Sequence, residues 1–251
     1  MELPTDLTVV IAAKDEAATI ADVILACRPF AGEVIVVVSR MTRDDAGAIA
    51  ASCGARVLVD QGRGKGDALR TAIPEIRTSL TVLIDADGSH EVRDVPRLIQ
   101  LILDGRADHV SASRLLGGSS ELHGGFDEFL RLAGSSFITA CINRRFGVRL
   151  SDTQNGFRAI RTDVLRRLGL RENSTTIEQE MIMRSLGLGY RVVEVPSHEY
   201  ERKAGVSRIK VRRAALTYVI CMCRDLWWTR YPKVAPLAEP AHGEHQVPVN
   251  R

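Results

Sequence analysis

Val34-Ile35-Val36-Val37-Val38 is an unbroken run of five β-branched apolar residues. Successive side chains of a strand point to opposite faces, so this run puts apolar groups on both. Such a strand needs a covering layer on each side, as in a parallel sheet flanked by helices. Neighbouring segments repeat the pattern. Strand-like runs at 7–12, 34–38, 56–59 and 80–84 alternate with helical spacing at 16–27, 46–53 and 67–77, and Pro96 opens a further helix over 95–104. The βαβαβαβα order predicts a parallel, nucleotide-binding sheet with right-handed crossovers and with ligands at the carboxyl ends of its strands.

The second half is less regular. A strand is expected at 109–113, a polar Gly-rich loop at 117–125 and a helix over 126–146. A turn and strand follow at 152–160, then helices at 164–168 and 177–186 and a strand at 190–195. A basic segment, 200–210, leads into a helix over 211–228. The organisation expected is one domain over 1–210, a C-terminal amphipathic helix over 211–231 and a disordered tail over 232–251.

Composition excludes several classes. A net charge of +3 on 251 residues, without a dominant polybasic run in the main body, gives no footprint for nucleic acid. Five scattered cysteines suit buried thiols in a reducing compartment better than disulfides or zinc. Met1 to Asp6 is polar and the next apolar run is short, so no signal peptide is expected. No stretch of about 18 apolar residues predicts a membrane span. The expected location is cytoplasmic, with a peripheral position on the inner face of the cell membrane left open.

The chemistry concentrates in Asp85-Ala86-Asp87-Gly88-Ser89-His90, where an apolar run ends in two carboxylates. Carboxylate and phosphate oxygens together satisfy Mg2+ or Mn2+, so this strand end suits a metal bound to a diphosphate. Taken alone, it is equally a solvated acidic turn. Gly62-Arg63-Gly64-Lys65-Gly66 lacks the P-loop spacing and the Ser or Thr after its Lys. It either brings Arg63 or Lys65 to a nucleotide or serves only as a turn. His90 and His123 have no clustered partner that would suggest zinc.

These segments, with Val9 to Glu16, Ser113-Arg114, Asp152 to Arg158 and Glu201 to Arg208, resemble in content and order a family 2 glycosyltransferase. The similarity covers about residues 7 to 210 and is greatest to the dolichyl- and polyprenyl-phosphate mannose synthase group. It implies the GT-A fold, a mostly parallel central sheet flanked by helices. It also implies a metal-dependent, inverting transfer of a sugar from a nucleotide-sugar donor to a polyprenyl-phosphate acceptor. On that resemblance Ala13, Glu16, Ser39, Lys65, Asp85, Ala86 and Asp87 line the donor, and Asp85, Asp87 and Ser89 hold Mg2+ or Mn2+. Arg114, Arg131, Glu180, Arg202, Ser207 and Arg208 face the acceptor, with Asp152, Arg114 and Arg202 as the catalytic set.

Simple roles compete at several of these positions. Glu16 also fits a helix N-terminal acid, Arg131 a solvated charge, and Asp152 the cap of the Gly156 turn. A phosphate acceptor, with a second pKa of about 6, needs positioning rather than a base. A hydroxyl acceptor needs a base such as Asp152 or Glu180. The family's acidic pair after the second strand is replaced here by Ser39-Arg40, which leaves the donor base open. A soluble transferase acting on a small-molecule or saccharide hydroxyl, in a secondary-metabolite or glycan pathway, is the alternative. A nucleotide-sugar-binding protein without turnover is a further one, opposed by the intact Asp85, Asp87, Arg114 and Arg202. The C-terminal helix, with basic ends and Trp227-Trp228, fits a membrane surface, the catalytic domain or a homodimer partner.

Overall fold

The computed structural model describes residues 6–120, 126–202 and 211–232. The expected tail lies outside them from residue 233 onward, as does His123. The first half forms β1 (Leu7–Ala13), α1 (Ile20–Cys27), β2 (Glu33–Val38), α2 (Ala46–Ser52), β3 (Arg56–Val59), α3 (Lys65–Ala72), β4 (Leu80–Asp85) and α4 (Val95–Leu103). The second half adds β5 (His109–Ser113), α5 (Arg114–Gly117), α6 (Phe126–Phe146), β6 (Arg158–Arg161), α7 (Thr162–Arg167), α8 (Ile177–Gly187), β7 (Val192–Pro196) and α9 (Val211–Cys223), which runs on as a π-turn over Arg224–Trp228.

The strands form one sheet in the order β3-β2-β1-β4-β6-β5-β7, with β6 antiparallel to both neighbours and every other pairing parallel. This is the GT-A architecture. The β2 run divides between two cores. Val34, Val36 and Val38 join Val9, Ile11, Val82 and Ile84 on one face, while Ile35 and Val37 join Val10 and Leu83 on the other. A third core, with Ile138, Ile142, Ile182, Met183, Met222 and Leu226, packs α9 and its π-turn against α6 and α8. Among the described residues no helix is long and apolar enough to cross a membrane.

Several boundaries differ from those the sequence predicts. The helix expected from residue 16 begins at Ile20, because the Glu16 carbonyl first accepts the Thr19 and Ile20 N–H groups in a turn. The helix expected over 67–77 begins at Lys65 and gives way after Ala72 to a 3-10 turn, Ile73–Glu75, at Pro74. Proline lacks the N–H that would continue the α-helical ladder.

Candidate active site

The carboxyl ends of β1, β2 and β4 open on the same side of the sheet. Beyond them, backbone N–H groups and carboxylates knit three loops together. Ser39 donates its N–H to the Ala13 carbonyl (2.9 Å), and the Asp15 carboxylate accepts the Arg43 N–H (2.7 Å). Asp44 accepts the N–H groups of Ala17 (2.8 Å) and Ala46 (3.1 Å), and buried Asp60 those of Arg40 (3.1 Å) and Gly62 (2.6 Å). Asp15 takes a left-handed conformation (φ 54°) to make this link. The Ser39 hydroxyl accepts the Met41 N–H (3.3 Å), so it shapes its own turn.

Asp85 ends β4, and Gly88, at φ 73°, turns the chain behind Asp87. Lys65 donates to Asp85 and to Glu178 of α8, and His90 Nε2 lies 3.4 Å from Asp85 Oδ2. Burial alone would push the Asp85 carboxyl up, but Lys65 and His90 hold it well below the usual carboxylate range. Burial opposes the Lys65 charge as well, yet Asp85 and Glu178 hold the ammonium above its ordinary value. Glu178 is pushed up, by burial first and by Asp85 second. Gly156 permits this convergence: a Cβ there would lie 2.5 Å from both Asp85 Oδ2 and Lys65 Nζ.

Asp87 is buried. Its Oδ1 accepts the Ser89 N–H (3.1 Å) and hydroxyl (2.7 Å), and Arg202 Nη1 stands 3.4 Å from its Oδ2. Two carboxylates and a hydroxyl at one strand end form a hard-oxygen donor set. No group of three His, Cys, Asp or Glu side chains able to hold a metal occurs among the described residues. Phosphate and water would therefore have to complete the coordination, which fits Mg2+ or Mn2+ and not structural zinc.

A second cluster follows β5. The Arg114 Nε lies 2.8 Å from Asp152 Oδ2, its Nη2 donates to Asp152 Oδ1 (3.3 Å), and its Nη1 reaches Glu199 Oε1 (3.3 Å). Asp152, 1% exposed, also accepts the Gln154 N–H (3.1 Å), while its own N–H is held by Glu194 Oε1 (2.7 Å). The strap carrying Glu199 bridges to His90, and the Tyr200 N–H donates to the Ser89 carbonyl (2.8 Å). The second cluster is thus fastened to the Asp85–Asp87 turn.

The fold therefore brings together Lys65, Asp85, Asp87, Ser89 and Arg202, and fastens Arg114 and Asp152 beside them. Ala13 and Ser39 lie at the ends of β1 and β2, Ala86 is buried within the acidic turn, and Glu16 begins the turn before α1. Glu180 is not brought into the cleft. Its fully buried carboxylate accepts the Arg171 and Glu172 N–H groups and pairs with Arg184 (2.9 Å) and Arg224 (3.0 Å). Every acceptor position is taken up, so the acid–base or acceptor role expected for it is corrected to a structural one. Glu178, two residues earlier, faces Lys65 instead. Residues Ile177 to Ser185 of α8 are all buried, so amphipathic phase gave no means of choosing between the two. Glu194, Glu199 and Asp60 were also missed, and no local motif marks them. Ser207, Arg208 and the Arg131 side chain lie outside the described residues.

The profile of Glycosyl transferase family 2 matches residues 8–169, more than half of the chain. The chain belongs to that family. A family relative, Glycosyltransferase AglJ of Haloferax volcanii, is 27% identical over 206 residues, 82% of this chain and 66% of its own. The dolichyl-phosphate hexose transferase of the same organism is 30% identical over 161 residues, 64% of this chain and 67% of its own. This chain thus spans about two thirds of the length of those curated relatives. Among solved structures, the fold is shared with glucosyl-3-phosphoglycerate synthase from Mycobacterium tuberculosis in complex with Mn2+, UDP and glucosyl-3-phosphoglycerate. The TM-score is 0.67 and the identity 23%, over 88% of this chain and 79% of that one.

Proposed function

We propose that this family 2 member transfers a sugar, with inversion at the anomeric carbon, from a nucleotide-sugar donor to a polyprenyl phosphate. The observation that carries the reading is the convergence of Lys65, Asp85 and Asp87 at one strand end with the Arg114–Asp152 pair fastened beside them. The knitted loops after β1, β2 and β3 cradle the nucleoside. Asp85, Asp87 and Ser89 would hold Mg2+ or Mn2+, which would supply Lewis-acid neutralisation of the leaving diphosphate. Lys65 adds a second positive charge at the same place. Donor binding would draw Lys65 and Arg202 away from the two carboxylates that they pair with here.

Arg114 and Arg202 orient the acceptor phosphate. An acceptor oxygen forms the new bond to the anomeric carbon while the bond to the nucleoside diphosphate breaks, and the electron pair leaves with the diphosphate. A phosphate dianion needs no base for this step. The surroundings of Asp152 support that choice: its carboxylate is already engaged by the Arg114 guanidinium and the Gln154 N–H, and it is buried. The presence of a dolichyl-phosphate hexose transferase among the relatives supports it as well. Leu216, Val219, Ile220 and Trp227 are exposed on α9 and its π-turn, and a membrane surface carrying the acceptor would cover them.

A donor panel tests the proposal: release of nucleoside diphosphate with Mn2+, with Mg2+ and with EDTA. Polyprenyl phosphate in vesicles is one acceptor arm and soluble saccharides another. Metal-dependent release stimulated by the vesicle arm is expected. Stimulation by saccharides alone would replace the acceptor assignment, and release unaffected by EDTA would remove the metal.

A further inference from the structure

The carboxylate of Glu180 and the π-turn after α9 belong to one buried assembly behind the cleft. Glu180 accepts the backbone N–H groups of Arg171 (3.0 Å) and Glu172 (2.8 Å), which clamps the 171–174 loop to α8. Arg224 closes the clamp from the C-terminal side. Its Nη2 reaches Glu180 Oε1 (3.0 Å), its Nη1 reaches Glu172 Oε1, and it also pairs with fully buried Asp225. Tyr231 donates its hydroxyl to the Asp225 carbonyl (2.9 Å), and its ring lies over Gly187, where a Cβ would come within 2.3 Å.

The opposite edge of the 171–174 loop carries the donor-side Lys65. The Asn173 carbonyl accepts the N–H groups of Gly66 (2.9 Å) and Asp67 (3.2 Å) in the first turn of α3. The approach leaves no room for side chains. A Cβ on Gly64 would lie 2.7 Å from the Asn173 carbonyl oxygen, and one on Gly66 2.3 Å from that of Glu172. Arg70 ties the same layers together through the Arg171 carbonyl (3.0 Å). The order is therefore π-turn, 171–174 loop, glycine-rich loop, Lys65, Asp85. Each joint is a hydrogen bond or an ion pair, except that Lys65 is itself part of the glycine-rich segment.

We propose that Arg224 is a positioning residue for donor binding. Through Glu180 and the 171–174 loop it fixes the glycine-rich loop that aims Lys65 at the diphosphate site. The C-terminal π-turn thereby becomes part of the donor site without touching the donor. This rests on the reading of Lys65 as a diphosphate ligand.

A double-mutant cycle on the full chain tests it, read by calorimetry in the presence of Mn2+ as the affinity for whichever of UDP, GDP, ADP, CDP and dTDP the unmodified chain binds. Arg224→Lys keeps the charge but loses the guanidinium fork. It is expected to weaken nucleotide binding about 3- to 30-fold in the otherwise unmodified chain and to have almost no effect in the Lys65→Met background. A role confined to stability would not produce that non-additivity. Gly187→Ala, which displaces Tyr231 while leaving every charge in place, is expected to give the same pattern and serves if Arg224→Lys does not fold. Equal losses in both backgrounds would overturn the positioning role alone. If the unmodified chain bound none of these nucleotides with Mn2+, the proposed function would fall, and this inference with it.

Discussion

The two sides of the cleft are held in shape by different means. On the proposed donor side, backbone amides bind carboxylates: Asp15, Asp44 and Asp60 each accept main-chain N–H groups from neighbouring loops. On the proposed acceptor side, side chains hold side chains, with Arg114 suspended between Asp152 and Glu199. A pocket built from backbone contacts is organised before its ligand arrives. An arginine already paired with two carboxylates must exchange partners as phosphate binds, at a cost in affinity offset by selectivity for a dianion. The loops at the proposed nucleoside end are thus a mould, whereas the Lys65–Asp85 turn and the proposed acceptor side are ion-pair clusters that exchange partners.

The sharpest test of this contrast is Asp87→Ala. It removes a proposed metal ligand and leaves Ser89 and Arg202 without their shared carboxylate. Metal-dependent release of nucleoside diphosphate is expected to fall on the order of 100- to 1000-fold. Turnover close to that of the unmodified chain would take the acidic turn out of the chemistry and leave the donor side without a centre.

A smaller effect is expected where the two sides meet. Gly156 lies in the turn between Asp152 and β6, yet its missing Cβ makes room for Asp85 and Lys65. Gly156→Ala is expected to cost about 1–3 kcal/mol of stability by overpacking, measured by urea unfolding. It should also weaken nucleotide binding about tenfold, a shift of about 1.4 kcal/mol. If stability fell while nucleotide affinity held, the two sides would be separable and the contrast between them sharper.

The same division explains what could be read from the sequence. The proposed donor side follows chain order, each strand presenting its polar residues where its apolar run ends, so β1 to β4 and the Asp85–Asp87 turn were legible from local pattern. The second cluster draws Arg114 from beyond β5, Asp152 from before β6 and Glu199 from beyond β7, and no spacing within any one segment encodes that meeting. Arg114 and Asp152 were reached through family resemblance, whereas Glu199 and Glu194, which hold them, were not. Glu178 and Glu180 show the limit most plainly. They differ by two positions on a helix buried all round, and only the packed structure assigns one to Lys65 and the other to Arg224.

The smallest effect expected is one of pH, and it too separates the two sides. His109, fully buried in β5, shares a hydrogen bond with the Ser185 hydroxyl (2.9 Å), and its Nε2 has no partner among the described residues. Burial first and the nearby Arg158 second hold its pKa well below the ordinary histidine value. An unfolded histidine takes up a proton near pH 6.5, so below that point the unfolded chain binds more protons than the folded one. Stability is then lost as pH falls, by up to about 1.4 kcal/mol per pH unit for one such group. On the donor side Asp85, held low, contributes stability that is complete above about pH 4 and is lost only below it. Glu178, pushed up, works in the opposite sense and partly offsets the loss. Comparing the unmodified chain with His109→Asn isolates the histidine from both carboxylates. Between about pH 7 and about pH 5.5, the unmodified chain should lose about 1 kcal/mol more in urea unfolding than the variant. Equal losses would mean that His109 takes up its proton in the folded state as readily as in the unfolded one, and that the β5 side of the sheet is no more sensitive to mild acid than the donor side.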